Sequence, residues 1–103
     1  MAISVGVLGF YCSAVSFAEE LTAGVVVTKM EAEDRFPFVT GIVEGLAYER
    51  YQRDGKATAG MKCIYEWGFN AENVVKIYDA FKAFPDYTPA AVVSAMAEKE
   101  CPR

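Results

Sequence analysis

The chain has 103 residues, 53% of them hydrophobic and 23% charged, which suits one folded domain and excludes a disordered chain. Its net charge is −4 with no histidine, and its ten basic residues are scattered among fourteen acidic ones. No basic run is present, which excludes a nucleic-acid partner, because phosphate binding needs concentrated Lys and Arg.

Met1 to Ala18 carries no charged residue, and Val5, Val7, Leu8, Phe10, Val15 and Phe17 make it apolar. Ser16-Phe17-Ala18 followed by Glu19-Glu20 has the small-x-small form of a signal-peptidase site. We read residues 1–18 as a cleaved secretory signal and residues 19–103 as a single helical domain. The mature protein is then periplasmic or secreted and has no membrane association. No Lys or Arg follows Met1, unlike an ordinary signal, so a retained anchor or a buried N-terminal element stays open. Cys12 follows the bulky Phe10-Tyr11, which is wrong for lipidation, and on the signal reading it leaves with the segment.

Leu21 to Met30 predicts a short helix, weakened by the β-branched run Val25-Val26-Val27-Thr28. In the next helix Asp34 is the expected cap, and Pro37 is tolerated in a first turn. Val39, Val43, Leu46 and Arg50 share one face, with Ile42 and Ala47 beside them, up to a stop at Asp54-Gly55. Gly41 and Gly45 flank Glu44 on this helix, and each glycine costs about 1 kcal/mol of helix propensity relative to Ala. The spacing predicts tight helix–helix packing there, with a partner groove as the alternative. Arg50 continues the apolar row, so it is expected to bury its stem and find an acidic partner such as Glu66.

Gly55 to Gly60 reads as a loop, and Met61 to Phe69 as a short helix carrying Cys63, Ile64 and Trp67. Asn70 caps the following helix, with Val74, Tyr78 and Phe81 inward and Val75 and Ile77 flanking. It ends before Pro85, and Phe84-Pro85-Asp86-Tyr87 forms a turn. Thr88-Pro89 is the best-matched helix start in the chain, an N-cap threonine with proline at the first helical position. Val92, Val93, Met96 and Ala97 face inward. Val93, Ala97 and Cys101 follow at helical spacing, which aims Cys101 back at the helix of Cys63. With Cys12 removed, an exported chain admits one pairing, Cys63 with Cys101. Closing a loop of that length contributes roughly 4 kcal/mol. The alternative is two reduced, buried thiols. The expected fold is all-α: a small bundle of four to five short helices with one disulfide.

Catalytic constellations are absent from the sequence. Without histidine there is no Ser-His-Asp or Cys-His arrangement. Gly55-Lys56 lacks the glycines of a phosphate loop, and two cysteines without CxxC spacing do not make a metal site. Glu44 and Glu49 suit a solvated helix face better than an acid/base pair. The expectation is a non-enzyme with no cofactor. Tyr51, near a helix end, and Tyr87, in the turn, are the candidate aromatic anchors for a partner.

The stretch from Phe38 to Cys101 combines several features: the helix Phe38-Val39-Thr40-Gly41-Ile42-Val43-Glu44-Gly45, a cysteine at Cys63, an amphipathic helix ending in a Phe-Pro turn, and a Pro-x-x-x-Val helix closing on Cys101-Pro102. In this it resembles the Tai-type immunity proteins of type VI secretion systems and their periplasmic relatives. That resemblance covers about two-thirds of the chain. It implies a helical, exported, disulfide-linked protein that binds and blocks a peptidoglycan amidase toxin. No toxin-contacting residue is carried over, because no contact motif matches. The functional expectation is a small exported binding protein of immunity or inhibitor type, whose partner is a protein such as a hydrolase toxin. A homodimer stays open, and the alternative function is a periplasmic acid-stress holdase.

Overall fold

The computed structural model describes residues 21–103. They form five helices: α1 (Ala23–Thr28), α2 (Ala32–Arg53), α3 (Ala59–Gly68), α4 (Ala71–Ala83) and α5 (Pro89–Glu100), with no strand among the described residues. This is the all-α small bundle expected from the periodicity. The signal-peptide and anchor readings of residues 1–18 lie outside the described residues. None of the described helices is long and apolar enough to cross a membrane.

Chain signals explain most of the boundaries. Asn70 accepts the backbone N–H of Glu72 at 2.9 Å and of Asn73 at 3.2 Å. Thr88 Oγ1 accepts from Ala91 N at 3.2 Å, with Pro89 at the first helical position, where its missing N–H costs nothing. Beyond α2, Gly55 adopts a left-handed φ of 65°. The N–H of Lys56 returns to Tyr51 O and that of Gly55 to Gln52 O, the paired bonds of a Schellman ending.

The start of α2 differs from expectation. The helix begins at Ala32 after Glu31, which makes no side-chain cap bond, and Asp34 lies inside the first turn. Pro37 therefore sits in the second turn. Its ring removes the bond to the carbonyl of Glu33, an exposed residue, so water can satisfy that carbonyl. Acidic Glu33 and Asp34 in the first turn suit the positive end of the helix dipole.

The core gathers Val39, Val43 and Ala47 of α2, Ile64 and Trp67 of α3, Ile77 and Phe81 of α4, and Val92, Val93 and Ala97 of α5. Ala23 and Val26 of α1 complete it, which gives that short, β-branched helix its reason to exist: tertiary burial outweighs propensity. On α4, Val74 and Phe81 are buried as expected, but the residue between them on the inward face is Ile77, fully buried, while Tyr78 beside it is half-buried. Arg35 ties α1 to α2, its Nε donating to Val26 O at 3.0 Å and Met30 O at 3.2 Å. Burial raises the Tyr78 hydroxyl pKa above the usual tyrosine value, with the Arg35 charge opposing.

The largest correction concerns the glycines. Gly41 and Gly45 are exposed, and a Cβ built on either meets no atom within 4 Å among the described residues. Among the described residues no helix packs on that face. The close approach lies on α3 instead. A Cβ on Gly60 would sit 2.5 Å from Arg50 Nε, and one on Gly68 would collide with the methyls of Val43. Helix α2 thus presses side chains into glycine notches of α3, whereas the sequence suggested that α2 supplied the notches.

Candidate functional site

Two surface clefts lie near opposite ends of α5. The first, about 440 Å³, is walled by Arg50, Asp54, Gly60, Cys63 and the final residues Cys101 to Arg103. Cys63 and Cys101 form the disulfide here, with S–S 2.07 Å and Cα–Cα 5.9 Å. Arg50 is the one buried charged residue among those described, at 4% exposure. Its Nε pairs with Asp54 Oδ2 at 2.7 Å, Nη1 donates to Cys101 O at 2.6 Å, and Nη2 donates to Pro102 O at 3.3 Å. The acidic partner is Asp54, one turn on, and not the expected Glu66, which is exposed on α3. A carboxylate and two main-chain carbonyls compensate a charge that would otherwise be costly to bury. The guanidinium is thereby committed to Asp54 and to the protein's own C-terminal residues.

Just outside this cleft, Arg53 Nη2 donates to Glu98 Oε1 at 2.9 Å and Nε lies 3.5 Å from Glu49. The hydrogen bond from Arg53 holds the Glu98 carboxyl below its ordinary pKa, and the same bond raises that of Arg53. Both groups are exposed, so this bridge from α2 to α5 is a weak one.

The second cleft, about 330 Å³, runs between α4 and α5. Small side chains line it (Ala80, Ala91, Ala95) together with Val92 and Met96, and Phe84 and Tyr87 form its edge. These two rings stand edge to face with centroids 6.1 Å apart, and they are 54% and 61% exposed. Each edge ring is fixed at its base by backbone bonds: Phe84 N–H to Ala80 O, and Ala23 N–H to Tyr87 O at 2.8 Å. The result is an apolar groove edged by two exposed aromatic rings whose backbone is hydrogen-bonded.

The structure disperses the residues singled out from sequence. Cys63 and Cys101 meet. Gly41, Glu44 and Gly45 lie on the solvent face of α2, away from both clefts. Tyr51 is half-buried near the end of α2, its ring 6.4 Å from that of the more exposed Tyr48. Tyr87 is exposed and edges the apolar groove. Phe84 and the alanine floor were not among the expected site residues. A signal for them existed: Pro89 to Ala97 contains no charged residue, so α5 is apolar on more than the face its core contacts require. No cluster of three or more Cys, Asp or Glu side chains able to hold a metal occurs among the described residues. Comparison of the chain with protein-family models, curated proteins and solved structures gave no match.

Proposed function

We propose that this chain is a small exported binding protein of the immunity or inhibitor type, acting by occluding a protein partner and performing no catalysis. The observation that carries this reading is the apolar α4–α5 groove edged by Phe84 and Tyr87, both more than half exposed. Exposed aromatic side chains beside an apolar cleft are effective anchors, because each brings a large contact area at the cost of only two side-chain torsions. The disulfide suits an oxidising compartment, which agrees with reading residues 1–18 as an export signal. The resemblance to Tai-type immunity proteins supplies the partner class, a peptidoglycan amidase.

The test uses the purified chain and a peptidoglycan amidase of the class that the Tai-type resemblance implies. Stoichiometric inhibition is expected. The double variant Phe84→Ala, Tyr87→Ala should keep its melting temperature to within a few degrees yet bind about 100-fold or more weakly. Unchanged inhibition by that variant would move the contact surface elsewhere. Protection of many unrelated clients in acid, with no hydrolase inhibited, would replace this reading with the holdase alternative.

A further inference from the structure

We propose that the disulfide and Arg50 form a redox-set latch, in which oxidation of Cys63 and Cys101 seals the Arg50 guanidinium under the C-terminal residues and reduction opens it to solvent.

Three observations carry this. First, the acceptors that cover Arg50 are the carbonyls of Cys101 and Pro102, the bonded cysteine itself and the residue after it. Second, the rest of α5 is held independently of the bond. Val93 is fully buried, Val92 and Ala97 nearly so, and Thr88 caps the far end. Glu98 is also tied to α2 through Arg53, so breaking the bond frees the chain beyond Glu98 while the helix stays docked. Third, Cys63 is half-buried and lines the cleft, so an incoming thiolate has a path to its sulfur.

The chemistry is thiol–disulfide exchange with a dithiol reductant. A thiolate of the dithiol attacks the Cys63 sulfur and the Cys101 thiolate leaves and is protonated. The second thiolate of the reductant then attacks the mixed disulfide, so Cys63 also ends as a thiol and the reductant as its cyclic disulfide. Two electrons and two protons pass to the protein. Once Cys101 moves away, Arg50 has lost two carbonyl acceptors and keeps only Asp54. A guanidinium left partly unpaired at 4% exposure must be hydrated, and the cleft widens to admit water. This inference goes beyond the binding reading and involves a different end of α5, so either can fail alone.

The test is labelling of arginines by phenylglyoxal, read by peptide mass spectrometry, on the oxidised full chain and on the chain reduced with dithiothreitol and alkylated. Arg50 should react about tenfold or more faster after reduction, while Arg35 changes little and the helical circular dichroism persists. The Cys101→Ser variant should reproduce the fast Arg50 rate without reductant. Equal Arg50 rates in both forms would overturn the latch. A rise of Arg35 and Arg50 together with loss of helix would also overturn it, making the disulfide a staple of the whole fold.

Discussion

The two ends of α5 are held by different physics. At Cys101 the helix ends in directed bonds: a covalent link to α3 and two hydrogen bonds from a buried cation. At Thr88 it begins with a single cap bond and apolar contacts, and leaves two aromatic rings in water. Directed bonds specify one geometry and use up their polar partners, so Arg50 and the carbonyls it meets are committed to the fold. Apolar contact is undirected, so surplus apolar surface at the other end stays available to a second molecule. In this small bundle the closed end supplies stability and the open end is suited to binding.

That contrast can be broken by substitution. Cys101→Ser should cost the most, about 4 kcal/mol in denaturant unfolding, from the loop-closure entropy of 38 residues. A loss below about 1 kcal/mol would show that the closed end does not dominate stability. Arg50→Ala should cost about 3 kcal/mol, because it strands Asp54 and two carbonyls. Arg50→Met restores the stem volume but leaves the same groups unpaired, so it should lose nearly as much; recovery of much of the loss would assign the cost to packing rather than to the stranded Asp54 and carbonyls.

The glycines sharpen the comparison, since one substitution has opposite signs at two positions. Gly60→Ala should destabilise by about 1–3 kcal/mol, because its methyl must displace the Arg50 guanidinium. Gly45→Ala should stabilise by up to about 1 kcal/mol through helix propensity alone. Destabilisation at Gly45 would reinstate packing on that face. The smallest effect belongs to Arg53–Glu98. Glu98 has a depressed pKa in the folded chain, so its contribution is present above its unfolded pKa and fades as pH falls through the folded value. Glu98→Gln should therefore reduce stability slightly at neutral pH and low salt, and match the parent chain at high salt or in strong acid. The Arg50–Asp54 pair, being buried, should resist the same salt.

The sequence by itself determined the local features. Asn70, Thr88-Pro89 and Asp54-Gly55 set helix ends through bonds made within a few residues, and such signals need no neighbour to be read. Helical spacing also determined that Cys101 would face inward, because a period of 3.6 assigns a face without knowing what covers it; that Cys63 meets it there is a tertiary fact. Only the tertiary structure decided which face meets which partner. Gly41 and Gly45 look like a packing notch, yet Gly60 and Gly68 are the notches used, because the helix crossing and not the spacing selects the point of closest approach. For Arg50 the carboxylate partner is local, Asp54 four residues on, a spacing the sequence shows; only the tertiary structure supplied its other acceptors, the carbonyls of Cys101 and Pro102. The aromatic groove was hidden for the same reason. Whether Phe84 fills a core or edges a cleft depends on how far α4 and α5 separate, a distance set by every side chain between them at once.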